Sequence, residues 1–162
     1  MENVFEDYFS EYQADMISIC MEYVDYREEV ETVFVYASWE NGWRGCGVFF
    51  KVNGKIVSRG NGLMYALQDK GYSLDVSSQR QRSMLDILNE DHIKINEVCK
   101  KFGREMPTEM KLIYDVKSGQ FSADYQYDLV RTKDIDNLVT VGEAEDIWMA
   151  EEAAKLGQYI EL

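Results

Sequence analysis

The sequence contains one proline, one histidine and three cysteines in 162 residues. With Pro107 as its only proline, it has no proline-rich linker, and we expect a single domain over residues 1–162. The cysteines include no C-x-x-C pair, which argues against a disulfide framework and against a zinc ribbon. No apolar run approaches the roughly 18 residues of a membrane span, and the acidic first residues do not resemble a signal peptide. We therefore expect a cytoplasmic protein without a membrane partner.

Basic residues are also scarce. Lysine and arginine number 17 against 30 aspartates and glutamates, which gives a net charge of −13. A negative field repels phosphate backbones and anionic lipids, so it disfavours nucleic acid and membranes as partners. It favours a basic protein instead, because opposite charges steer two proteins into encounter. The same acidity also keeps a protein soluble without any partner, and composition leaves both interpretations open.

Apolar residues make up 46% of the chain, which excludes a disordered protein. Their spacing predicts helices over residues 4–26, 78–103 and 140–156, and strands over 32–39, 47–52, 55–58, 111–116 and 120–128. Three Asn-Gly steps, at 41–42, 53–54 and 61–62, predict the turns of an antiparallel meander. Residues 63–76 have an ambiguous pattern, within which Leu63 to Leu67 fit a short helix or an edge strand. The order predicts an α+β fold, an antiparallel sheet with helices packed on one face.

The only histidine, His92, is predicted to lie in the middle of a helix among solvated charges, with no nucleophile beside it. Asp115 and Lys117 form a D-x-K pattern that occurs in metal-dependent nucleases, where Asp124 or Glu109 would complete the ligand set. The pattern consists of common residues and lies at a predicted turn, where polar residues are expected. We expect no metal, no cofactor and no enzymatic activity.

Four aspartates follow one another closely near the last predicted strand. They are Asp124, Asp128, Asp134 and Asp136. Their spacing does not match a calcium-binding loop. Helix faces do not account for them, so we predict that they form a surface for a basic partner.

Several short motifs occur in order in the second half of the sequence. They are Ile113-Tyr114-Asp115, Gly119-x-Phe121, Asp124-Tyr125-x-Tyr127-Asp128, Ile147-Trp148 and Leu156-Gly157. Together with the N-terminal helix, the aromatic-rich meander and the second helix, they resemble the YezG-like immunity (antitoxin) family of bacterial polymorphic toxin systems. The order of elements matches over most of the chain, and the residue matches concentrate after Glu109.

The resemblance implies a protein that binds and neutralises one cognate toxin, often one with a nuclease-like C-terminal domain. It implies no reaction, cofactor or metal, and no catalytic residue carries over. The charge suggests how inhibition would work: acidic side chains complement a basic toxin surface and occlude its active site or substrate path. The alternatives are a small metal-dependent nuclease or hydrolase that uses Asp115, Lys117 and Asp124, and a non-catalytic adaptor domain.

The C-terminal helix is expected to dock on the rest of the domain. Ile147, Trp148 and Leu156 form the short apolar stripe that predicts this contact. Thr140 and Glu143 match a capping box at the start of this helix, and Ser78 and Gln81 match another at the start of the helix over residues 78–103.

Overall fold

The computed structural model describes residues 3–69 and 71–160, which form four helices and one five-stranded antiparallel sheet. The helices are α1 Phe5–Tyr23, α2 Asn61–Leu67, α3 Ser78–Lys101 and α4 Val141–Lys155. The strands are β1 Val30–Glu40, β2 Trp43–Val52, β3 Lys55–Ser58, β4 Glu109–Asp115 and β5 Phe121–Gln126. The predicted α+β class is confirmed. None of these helices is long and apolar enough to cross a membrane.

The five strands lie in the order β3-β2-β1-β4-β5. Two of the predicted Asn-Gly turns are present, at Asn41 and Asn53, where the asparagine and the following glycine all have positive φ. Such pairs favour the tight turns whose twist matches that of a hairpin. The third step, at Asn61, begins α2 instead of a turn. This short helix buries Leu63 and Leu67 completely or nearly so, which explains why a helix forms there.

Both faces of the sheet are covered. Val33 and Val35 of β1 point into a core shared with α1, α2 and α3, whereas Phe34 and Tyr36 point into a second core beneath α4. The expectation that the helices share one face is therefore wrong for α4. Since β1 carries apolar side chains at consecutive positions, both faces of the sheet have to be buried against other elements.

The N-terminal cap of α4 is the predicted residue, whereas that of α3 differs by one position. Thr140 accepts a hydrogen bond from the backbone N–H of Glu143 at 3.1 Å, as the capping pattern predicts. At α3 the cap is Ser77, whose hydroxyl accepts from the N–H of Arg80. The predicted cap, Ser78, is instead the first residue of the helix.

Helix α4 docks through Trp148, as predicted, but not through its two predicted partners. Trp148 is 4% exposed, whereas Ile147 and Leu156 are 51% and 45% exposed. Met149 and Ala153 take their place against the sheet. The apolar stripe of this helix is too narrow for spacing alone to identify which residues face inward.

Candidate functional site

The segment between β5 and α4 carries three of the four predicted partner-binding aspartates. A buried ion pair holds the backbone of this segment against β1. Glu40, at the end of β1, and Arg131 in this segment are almost completely buried, with side chains 0% and 2% exposed. Burial alone would raise the pKa of Glu40. Hydrogen bonds from the backbone N–H groups of Arg131, Val130 and Thr132 outweigh it and hold that pKa below its usual value.

The Arg131 guanidinium joins three parts of the chain. It donates to the Ser38 hydroxyl at 2.7 Å, to the Trp43 carbonyl at 2.6 Å and to the Val139 carbonyl at 3.1 Å. Its planar array of donors suits several acceptors in fixed directions, which a lysine could not match. This role was not predicted, because an isolated arginine in a polar stretch looks like a solvated side chain in the sequence.

Asp134 and Asp136 lie together at the exposed tip of this segment. The Asp134 carboxylate accepts hydrogen bonds from the Asn137 side chain at 2.8 Å and from the backbone N–H of Asp136 at 3.1 Å. These bonds hold the pKa of Asp134 below its usual value. Asp134 therefore shapes the turn in addition to presenting charge.

Asp124 and Asp128 are exposed as well. Asp124 is opposite Lys111 of β4 in the sheet register, and it lines a groove of about 470 Å³ against α4. Asp128 follows β5, and its backbone carbonyl accepts from the Thr108 hydroxyl at 2.6 Å. No described contact joins Asp124 to Asp134.

The residues of the nuclease alternative do not converge. Asp124 pairs with Lys111, so Asp115 lies four residues further along β4, roughly 13 Å away at about 3.3 Å per residue. The Asp115 carboxylate instead accepts from the N–H and the hydroxyl of Ser118, which lower its pKa. Lys117 is exposed in the same turn. In the described part of the chain, no group of three or more His, Cys, Asp or Glu side chains could hold a metal ion.

Glu109, the other acid considered as a ligand, is 7% exposed and has a structural partner. The Tyr36 hydroxyl donates to its carboxylate at 2.6 Å. This hydrogen bond joins β4 to β1 on the α4 side of the sheet.

His92 is buried, contrary to the expectation that it would be solvated. It is 1% exposed, its ring packs edge-on to Trp39, and its Nδ1 lies 3.6 Å from the Cys46 sulfur. Burial lowers the pKa of His92 to about 4 and raises the pKa of the Cys46 thiol. The pair is therefore uncharged near neutral pH, without the thiolate that a Cys–His nucleophile needs. Its position between Leu88 and Ile95 on the inward side of α3 could have indicated burial.

A groove of about 970 Å³ lies between the start of β2, α3 and the start of α4. On its floor Arg59 donates to the Glu145 carboxylate at 2.8 Å. Burial raises the pKa of Glu145, and the arginine opposes that shift. The carboxylate lies against Gly47, where any side chain would collide with it. This ion pair braces α4 against the sheet.

Two carboxyl groups meet between α1 and α3. Asp91 on α3 is 2% exposed, its carboxyl group lies near that of Asp15 on α1, and its Oδ2 has no hydrogen-bond partner among the described residues. Burial raises the pKa of Asp91 to about 8, and the nearby carboxyl group of Asp15 adds to the effect. Lys94 opposes the shift and Glu90 reinforces it. Asp91 is thus protonated at neutral pH.

This raised pKa predicts that the protein loses stability as the pH rises. Asp91 ionises near pH 3.8 in the unfolded chain and near pH 8 in the folded one. Its contribution is therefore complete below about pH 4 and falls by up to about 1.4 kcal/mol per pH unit between those values. We expect Asp91→Asn, which keeps the uncharged form, to be more stable than the parent at pH 8 and to show a flatter pH profile.

Urea unfolding at pH 5 and pH 8 measures this effect. Glu97→Gln is the matched control, because it removes one exposed carboxylate from the same helix that does not contribute to the pKa shift of Asp91. A parent and an Asp91→Asn protein with parallel pH profiles would contradict the assignment.

No protein-family model and no curated protein matches this chain.

Proposed function

We propose that this chain is an immunity protein that binds a basic, nuclease-like toxin and covers its active site or substrate path. The proposal rests on the YezG-like motifs of the last hairpin and of α4. The observation that carries it furthest is that much of this pattern lies on the surface. Asp124 and Asp128 are exposed, and Tyr127 and Ile147 are 47% and 51% exposed. Core packing does not require these residues, so they are free to contact a partner.

Charge supports the same function by an independent route. A net charge of −13 attracts a basic protein over a range of about one Debye length, roughly 8 Å at physiological salt. Acidic groups at the rim of an interface mainly increase the association rate, whereas apolar anchors at its centre supply affinity. A toxin that acts on nucleic acid has to be basic around its substrate path, and that is the surface an inhibitor has to cover.

The direct experiment uses the C-terminal domain of the protein encoded immediately upstream of this chain. Cells that produce this domain are expected to grow only when the chain is produced with it. Purified chain and domain are expected to form a stable complex whose association slows as salt increases. Absence of both protection and complex would overturn the proposal in favour of the adaptor alternative or of another partner.

The four aspartates predict a specific change in that association. The variant carrying Asn at Asp124, Asp128, Asp134 and Asp136 is expected to associate more slowly with the toxin domain, with a weaker dependence on salt. Asparagine keeps one of the two oxygens through which Asp134 accepts hydrogen bonds in the turn and replaces the other by an amide nitrogen, so circular dichroism first checks that the variant is folded.

A second variant controls for total charge. It neutralises four exposed acids on α1 and α3, namely Glu11, Asp86, Glu90 and Glu97. We expect stopped-flow association to slow more in the first variant than in this control. Equal rates in the two variants would mean that only the overall charge matters and that the four aspartates do not lie at the interface.

A further inference from the structure

Strand β5 forms an open edge of the sheet. The backbone carbonyls of Gln120 and Gln126 point toward β4. They accept hydrogen bonds from the backbone N–H groups of Asp115 and Thr108. Because direction alternates along a strand, the N–H and C=O groups of the odd-numbered residues of β5 point away from the sheet. No hydrogen bond from residues 3–69 or 71–160 reaches that outer side. Such an edge is a template for another strand.

The side of β5 that faces α1 carries an apolar groove of about 550 Å³. Phe121, which is 41% exposed, and Tyr114 form one wall. The other wall is α1, where the small residues Ser10, Ala14 and Ser18 recur every four positions and leave room beside the strand. An open apolar groove therefore lies next to Phe121, the first residue of β5.

A second groove, of about 500 Å³, lies at the other end of the same edge. Tyr125 and Tyr127 line it together with Phe5 and Phe9 of α1. Phe121 and Tyr125 are four residues apart on the same side of β5, roughly 13 Å at about 3.3 Å per residue. The small Ala123 lies between them. Apolar side chains at alternate positions of an added strand would meet both grooves.

The opposite side of β5, facing α4, is polar and rich in carboxylates. Asp124, Glu151 and Glu152 line a groove there together with Lys111 and Lys155, so carboxylates outnumber ammonium groups by three to two. Glu152 is bound to Lys155 at 2.9 Å, and Glu151 is exposed. The side chains that an added strand turns toward α4 would therefore meet a small excess of negative charge, with Asp124 and Glu151 as the nearest carboxylates not bound to Lys155.

We propose that the toxin binds by adding an extended segment to the outer edge of β5. The segment alternates apolar side chains, which enter the two grooves beside α1, with basic side chains, which meet the carboxylates beside α4. Strand addition of this kind obtains affinity from main-chain hydrogen bonds and specificity from the alternate side chains. The inference rests on the proposed function, since it identifies how the same partner is recognised.

The structure offers a substitution that blocks the edge and spares the sheet. The N–H of Ala123 points outward, so Ala123→Pro removes a donor from the edge without removing a bond to β4. Proline is tolerated on edge strands for this reason. Ala123→Val is the matched control, because it changes the side chain and keeps the N–H. Circular dichroism and urea unfolding first establish that both variants are folded.

Binding to the upstream-encoded toxin domain then tests the inference. We expect Ala123→Pro to weaken affinity about tenfold or more, and Ala123→Val to stay within a few-fold of the parent. In the parent complex the amides of Phe121, Ala123 and Tyr125 are expected to exchange with solvent far more slowly than in the free chain. Exchange is read by NMR.

The outcomes separate the two proposals. If folded Ala123→Pro protects cells and binds as the parent does, or if the three amides stay unprotected, the strand-addition inference fails and the immunity function stands. If the parent chain neither protects cells nor binds, the immunity function fails, and the inference fails with it because its partner is lost.

Discussion

Replacing Trp148 by alanine is expected to lower the free energy of unfolding by about 3–5 kcal/mol, the usual cost of deleting a buried aromatic ring. The ring packs edge-on to Phe49 and Phe34, with centroids 5.0 and 5.6 Å away. Its indole N–H donates to Glu152 at 3.2 Å. Trp148 is thus the main contact through which α4 covers its face of the sheet, and its loss would expose the residues of the second core.

Denaturant unfolding monitored by far-UV circular dichroism measures this change. Ile147→Ala is the control, because Ile147 is the preceding residue of α4 and is half exposed. We expect it to change stability by about 0.5 kcal/mol or less. Equal unfolding midpoints for Trp148→Ala and Ile147→Ala would mean that the tryptophan does not hold the helix on the sheet.

Arg131→Met is expected to be comparably destabilising, by about 3–5 kcal/mol, because it leaves the buried charge of Glu40 without its partner. It also removes the donors to Ser38 and to the carbonyls of Trp43 and Val139. Methionine approximates the length of the side chain, so the effect reports the guanidinium more than an empty cavity.

Two further variants sharpen this measurement. Lys133→Met changes an exposed cation two residues away and is expected to leave the unfolding midpoint unchanged. Combining Arg131→Met with Glu40→Gln removes both charges, and we expect the double variant to lose less stability than the sum of the two single changes. Additive losses would show that Arg131 acts through packing and not through its contact with Glu40.

Much of the fold follows from the sequence because its signals are local. The alternation along β1, the Asn-Gly steps at Asn41 and Asn53, and the apolar face of α3 each specify one element. Which face of the sheet a helix covers is not a local property. The sequence predicts that all helices share one face, and α4 departs from this because its own apolar stripe is weak. The evidence for a second core lies in the consecutive apolar residues of β1.

The candidate site was less predictable, for the same reason. Asp124 and Asp134 were correctly predicted to be exposed, since strand alternation and loop polarity are visible in the sequence. The partners of Arg131 and of Asp91 lie about 90 and 76 positions away, at Glu40 and Asp15. Pairs so distant leave no periodic signal. The open edge of β5 likewise became visible only when the strand order was known.

The hydrogen bonds between Arg131 and Val139 have a consequence for how this protein can diversify. The Val139 N–H donates to the Arg131 carbonyl at 3.0 Å, while the Arg131 side chain donates to the Val139 carbonyl. The two ends of the intervening segment, residues 132–138, are thereby fastened together. Closing a flexible loop costs only about 0.6 kcal/mol more for each doubling of its length. Residues can therefore be inserted or exchanged around Ile135 with little loss of stability. The tip of this loop can change in length and sequence while the structure of the domain stays the same.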